Sequence, residues 1–229
     1  MIQKDDAKRT AGIKAAEYIK NGMIVGLGTG STVVYTMEKL AERIKSESLF
    51  IKGVPTSIQT ALRARSFGIP LISSDEFESI DITIDGADQI DRNLYLIKGR
   101  GAAHVRERII ADASEELIIV ADESKLCDEL SGPVPVEVIP FALGHVISRL
   151  IQMGGRPEIR EGLKKDGPVF SDNGNIIIDY HPEKISDPIR LESLINNIPG
   201  VVSCGIFTEF SKKTIIIIGT ENGPKIIRS

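Results

Sequence analysis

The sequence predicts an α/β protein: a Rossmann-like, mostly parallel sheet with helices on both faces, plus a smaller ferredoxin-like α+β lobe. Three observations predict it. Short apolar runs alternate with segments of helical apolar spacing as far as Leu130, the signature of a parallel sheet covered on both faces. Past Ser131-Gly132-Pro133 the order becomes strand, helix, strand, strand, helix, strand, which is the ferredoxin-like unit. A last strand, Thr214 to Ile218, follows that unit and is expected to return to the first sheet. On this reading residues 1–130 and 207–229 form the Rossmann-like domain, and residues 131–206 form the lobe.

The elements follow in order. Ala7, Ala11, Ala15, Ala16 and Ile19 recur at helical spacing from Asp5 to Lys20, and Asn21-Gly22 stops that helix. Strands are expected at Met23–Leu27, Leu49–Val54, Ile80–Ile84, Leu94–Ile97 and Leu117–Val120. Helices are expected at Thr32–Lys45, Ser57–Phe67 and Ala102–Ala111. In the lobe, strands fall at Val134–Val138, Pro157–Arg160, Asn175–Tyr180 and Gly200–Ile206, with helices at Phe141–Gln152 and Pro188–Asn197. There is no internal repeat and no low-complexity tract.

Composition narrows the function classes. A hydrophobic fraction of 41% and a charged fraction of 26% over 229 residues are ordinary for a globular chain with a packed core. The net charge of -4 gives no electrostatic support to a nucleic-acid partner. No apolar run approaches the length of a membrane span. The start, Met-Ile-Gln-Lys-Asp-Asp, carries no apolar signal region, so a cytoplasmic protein is expected. Cys127 and Cys204 are far apart in the sequence and form no disulfide framework or metal-ligand spacing.

Four polar turns follow four of the expected strands, and loops at the carboxyl ends of parallel strands line the ligand crevice of an open sheet. Gly28-Thr29-Gly30-Ser31-Thr32 leads into a helix, whose unpaired N–H groups and positive dipole end suit a phosphate. It is neither a P-loop nor a full dinucleotide fingerprint, since no Lys-Ser/Thr pair follows and Ser31 holds the third glycine position. The plain structural alternative is a helix cap by Ser31 or Thr32. Asp85-Gly86-Ala87-Asp88 offers two carboxylates for sugar hydroxyls or proton transfer, against an Asx-turn with a cap. Lys98-Gly99-Arg100-Gly101 offers a cation for a developing oxyanion. Glu107, early in the next helix, suits a base if partly buried. The alternative is that Arg106-Glu107-Arg108 is a solvated face. In Asp122-Glu123-Ser124-Lys125 the lysine can reach a phosphate as a point charge or be an ordinary surface lysine, while Asp122 caps the turn. His104, His145 and His181 match no ligand spacing.

Taken together in this order, these turns resemble the ribose-5-phosphate isomerases of the A type. The resemblance runs nearly end to end, through Pro135-Val136-Glu137-Val138-Ile139-Pro140, Gly154-Gly155-Arg156-Pro157 and Ile198-Pro199-Gly200-Val201-Val202. It implies interconversion of ribose 5-phosphate and ribulose 5-phosphate, with Glu107 as proton acceptor. Lys98, Asp85 and Asp88 would line the reacting end of the sugar, together with Gly86, Ala87, Gly99, Arg100 and Gly101. Thr29, Gly30, Ser31, Thr32, Lys125 and Lys8 would contact the substrate near its phosphate. It implies no metal and no organic cofactor, and a homodimer or tetramer. Two positions depart from the family pattern: Arg100 replaces a glycine in the lysine turn, and Gln89 replaces a glutamate after Asp88. If position 100 needs a positive φ, arginine is strained there.

Competing readings are a sugar-phosphate sensor, an amino-sugar-phosphate deaminase and a coenzyme A transferase. A sensor of this class would carry a DNA-binding extension, which this sequence does not show. A deaminase needs a histidine at its site, and His104 is the one placed to test that.

Overall fold

The structure, a computed structural model, describes residues 4–73, 75–164 and 166–228. The first three residues, which open the stretch read as free of a signal region, lie outside the described residues. The chain begins with α1 (Lys4–Ala16), β1 (Ile24–Leu27), α2 (Ser31–Ser46), β2 (Lys52–Pro55), α3 (Ile58–Ser66) and β3 (Ile80–Asp85). There follow β4 (Gln89–Ile90), β5 (Leu96–Ile97), α4 (His104–Asp112), β6 (Ser114–Asp122) and β7 (Val134–Val138). Then come α5 (Leu143–Gln152), β8 (Gly155–Ile159), β9 (Ile176–Pro182), α6 (Pro188–Asn196) and β10 (Val201–Cys204). The chain closes with β11 (Ile206–Phe207), β12 (Thr214–Thr220) and β13 (Gly223–Arg228).

Two compact units result. The first runs to Ala87, takes in Arg106–Leu126, and resumes at Phe210. Its sheet has the order β13-β12-β6-β3-β1-β2, parallel throughout except for β13. Counting only the parallel strands, the order is 2-1-3-4-5, the second common doubly wound arrangement, which reverses between β1 and β3. Strands buried on both faces need near-continuous apolar sequence, and Ile215 to Ile218 supplies it. Val25, Leu27, Ile82, Ile84, Ile118, Val120, Ile215 and Ile217 share one core cluster with Ala11, Ala15, Val33, Met37 and Leu40 from α1 and α2. Each fully buried aliphatic side chain of this kind stabilises the fold by about 1.5–3 kcal/mol. Ile110 of α4 packs with Val54 and Ile80 in a separate cluster.

The terminal strand β13 was not expected from the sequence. Gly223-Pro224-Lys225 reads locally as a loop, yet the segment pairs antiparallel with β12 from Ile215↔Arg228 to Thr220↔Gly223. As an edge strand it tolerates both proline and lysine.

The second unit comprises Asp88–Val105 and Cys127–Glu209. It is larger than the expected lobe of residues 131–206, because β4 and β5 pair antiparallel with each other and β5 with β11. Ile97 also joins the core of Val134, Val136, Ile178, Tyr180 and Ile206. Strands of two residues carry no readable alternation, so this attachment is invisible in the local sequence. The remaining strands form the antiparallel sheet β10-β7-β9-β8, with α5 and α6 as its crossover helices. This is the expected ferredoxin-like order. Both cysteines are free.

Candidate active site

In the first unit, most of the expected groups lie at one edge of the parallel sheet. β1, β3 and β6 end at Leu27, Asp85 and Asp122, so the turns after them share the carboxyl edge. Glu107 lies toward the same edge. Ile110, one turn further on, sits against Gly26 in mid-strand, and the chain then enters β6 at Ser114, beside the start of β3. Lys8 follows Ala7, whose backbone packs on Gly219, and Gly219 pairs with Asp122.

The switch point between β1 and β3 is closed by a carboxylate. Asp85 is 1% exposed. Its Oδ1 accepts hydrogen bonds from the Thr29 amide (3.1 Å) and the Gly86 amide (2.7 Å). Gly28 is required at this crossing, because a Cβ there would stand 2.1 Å from Asp85 Oδ1. The Thr29 hydroxyl turns away from the helix end and joins Thr56, Ser57 and Thr60 at 2.7–3.1 Å. Thr29 therefore anchors the turn through its side chain. The sequence reading missed those three partners; the signal was Thr56-Ser57 at the end of β2, with Ser57 capping α3.

Gly30, not Ser31 or Thr32, is the cap residue of α2, and no side-chain capping bond is made there. The first N–H groups of a four-turn helix thus meet no capping side chain, which is the arrangement an anion uses. Lys125 closes the short 3-10 turn Glu123–Lys125 and is half-buried. Asp122 caps that turn as expected, accepting from the Ser124 amide (3.0 Å) and hydroxyl. Lys8 is half-buried and lies 3.9 Å from Asp5. Glu107 is 4% exposed, while Arg106 and Arg108 are half-buried. The solvated-face alternative is therefore overturned for Glu107, while Arg106 and Arg108 stay partly exposed.

The second unit holds Asp88, Lys98, Gly99, Arg100 and Gly101. The expectation that four turns end four parallel strands is corrected here: β5, which precedes Lys98, belongs to the three-stranded antiparallel sheet. Lys98 is 3% exposed; its amide donates to the Gly205 carbonyl (2.8 Å) and its Nζ lies 5.7 Å from the Phe207 ring centre. Gly99, not Arg100, takes the positive φ, at 105°. Arg100 therefore sits without backbone strain, and it is exposed. Its amide donates to Asp88 Oδ2 (2.9 Å). Gln89 accepts from the amides of Ser131 (2.8 Å) and Gly132 (3.0 Å), so the departure at position 89 has a structural use. His104 is fully buried, with Nε2 3.2 Å from the Ser203 carbonyl, and Gly99 packs against its ring. That placement packs the imidazole against the lysine turn.

The comparisons with known proteins agree with one another. The family described as Ribose 5-phosphate isomerase A (phosphoriboisomerase A) matches residues 52–223. A protein of Methanoregula boonei named Ribose-5-phosphate isomerase A is 50% identical over 223 residues, covering 97% of this chain and 94% of that one. A protein of the same name from Thermosynechococcus vestitus is 47% identical over 222 residues, covering 94% and 93%. The solved ribose 5-phosphate isomerase A of Methanocaldococcus jannaschii matches with a TM-score of 0.94 at 43% identity, covering 99% of this chain and all of that one. A solved D-ribose-5-phosphate isomerase in complex with phospho-erythronic acid matches with a TM-score of 0.95 at 43% identity, over 100% of both chains. By sequence and fold, the chain belongs to the ribose 5-phosphate isomerase A family.

Proposed function

We propose that this chain interconverts D-ribose 5-phosphate and D-ribulose 5-phosphate by carboxylate-mediated proton transfer through a cis-enediolate. The observation that carries this reading is the near-complete match, at 50% identity, to a protein named for that isomerisation. Buried Glu107, Asp85 and Lys98 supply groups of the kind the chemistry needs.

The sugar is mostly cyclic, so the ring opens first. Asp85 or Asp88 moves the proton between the ring oxygen and O1. Glu107 takes the proton from C2, and the electron pair left behind makes the cis-enediolate. Lys98 and neighbouring N–H groups stabilise the charge that develops on oxygen. Glu107 then returns its proton to C1 while the O2 hydroxyl proton passes to O1, which leaves the C2 carbonyl of the ketose. One carboxylate serves both carbons because they lie on the same face of the enediolate. The relative's ligand, phospho-erythronic acid, fits this course: its planar carboxylate resembles the enediolate and its phosphate resembles the substrate's. At the far end, the turn from Thr29 to Thr32 holds the phosphate with Lys125 and Lys8. This remote binding energy orients the sugar for transfer. The proposed setting is the cytoplasm, in keeping with two free thiols, and the proposed assembly is a homodimer, as the family resemblance implies.

The test is deuterium entry at C2 of ribose 5-phosphate in heavy water with the purified, metal-free protein. Exchange accompanied by ribulose 5-phosphate is expected. Binding of the sugar phosphate without exchange or product would replace this reading with that of a sensor.

A further inference from the structure

The lysine turn of the second unit is held by a half-buried ion pair that the sequence reading did not single out. Arg160, just past β8, forms a two-pronged pair with Asp179 of β9, with Nε–Oδ2 at 2.8 Å and Nη2–Oδ1 at 2.5 Å. Their side chains are 16% and 22% exposed. The remaining guanidinium nitrogen, Nη1, donates to the carbonyls of Gly99 (2.9 Å) and Arg100 (3.1 Å).

The Gly99 carbonyl and the Arg100 amide belong to one peptide unit. In a trans peptide they point in opposite directions. Arg160 therefore holds that plane by its oxygen, while Asp88 Oδ2 holds it by its N–H at 2.9 Å. The result is one continuous chain: Asp179 carboxylate, Arg160 guanidinium, Gly99–Arg100 peptide, Asp88 carboxylate. Each link polarises the next, so the chain is more directional than separate bonds would be. With Oδ2 committed to the turn, Oδ1 is the oxygen left to meet a sugar hydroxyl.

We propose that Arg160, locked by Asp179, is a positioning residue that orients Asp88 through the Gly99–Arg100 peptide. The inference rests on the reading above that Asp88 serves the reaction. Lysine cannot replace arginine in this role. A single ammonium lacks the planar fork that meets a carboxylate with two nitrogens and two carbonyls with a third. Asp179→Asn weakens the same lock from its other end, since an amide offers one acceptor oxygen where the carboxylate offers two.

The experiment is a double-mutant cycle on kcat with ribose 5-phosphate, using Arg160→Lys, Asp88→Ala and the pair, with thermal unfolding followed in parallel. Arg160→Lys is expected to fold and to lose about 10–100-fold in kcat, the scale of a misplacement near 1 Å, with KM changing less. Added to Asp88→Ala, it is expected to cost nothing further, because the group it positions is already gone. Asp179→Asn is expected to reproduce a smaller part of the Arg160→Lys loss, and it takes over the cycle if Arg160→Lys does not fold. Losses that multiply in the pair would overturn the proposal, since Arg160 would then act on something other than Asp88. A parental kcat in Arg160→Lys would overturn it as well. A parental kcat in Asp88→Ala marks a different failure: the role given to Asp88 falls, and the inference falls with it.

Discussion

Glu107 shows how far a residue's role depends on its surroundings. In the sequence it is one charge in Arg106-Glu107-Arg108; in the fold it is 4% exposed, in the first turn of α4. A buried carboxylate at a helix start suits a proton acceptor. Glu107→Gln keeps the shape and removes the base, so turnover is expected to fall by roughly 10²–10⁴-fold while the unfolding midpoint stays near that of the parent. A steady-state assay of ribulose 5-phosphate formation checks this, and near-normal turnover would remove Glu107 from the mechanism. Gly28 acts by what it lacks. A Cβ at that position would lie 2.4 Å from Asp85 Cγ, so Gly28→Ala must displace Asp85 or the turn. Overpacking of this kind costs about 1–3 kcal/mol. Urea unfolding should show that loss, together with a fall in kcat from the displaced carboxylate.

At the scale of elements, the antiparallel sheet of the second unit carries a titratable side chain in its core. Tyr180 of β9 is fully buried, and its hydroxyl donates to the Gly154 carbonyl (2.9 Å) at the end of α5. Burial, with a smaller contribution from Glu183, pushes its pKa above the ordinary 10.0. The folded state thus holds the phenolic proton more tightly than the unfolded state does. The sign follows from linkage: the stabilisation is fully present below pH 10 and is lost as the pH rises from about 10 through the folded-state value. Tyr180→Phe should flatten that part of the alkaline decline in a series of urea titrations. An unchanged slope would mean that other groups set the alkaline limit. The same element illustrates a limit of sequence reading. Its alternation identifies the strand, but the Gly154 partner depends on where α5 ends.

For the whole molecule, the two units are interleaved in the sequence: the second begins at Asp88, returns the chain to the first at Arg106, and resumes at Cys127. The proposed catalytic residues follow that interleaving, with Asp85 and Glu107 in the first unit and Asp88 and Lys98 in the second. This explains why four turns looked alike in the sequence although one of them ends a strand of a different sheet. The proposed homodimer predicts a mass in light scattering of about twice the 24.9 kDa of the chain. A mass equal to the single chain would exclude it.

The sequence by itself determined the fold class, the order of most elements, the turns proposed to carry the chemistry and the family resemblance. Each is written locally, in the alternation of apolar residues, in glycine-bearing turns and in motif order. It did not place Asp88–Val105 with the second unit, because pairings between strands of two residues leave no local pattern. Nor did it reveal β13, whose glycine and proline read as a loop until an edge partner is present. Tertiary structure alone decided that Gly99 rather than Arg100 takes the left-handed backbone, that His104 is buried against the Ser203 carbonyl, and that Arg160 and Asp179 hold the lysine turn. These depend on contacts between residues as many as 99 positions apart, and such contacts exist only once the chain has folded back on itself.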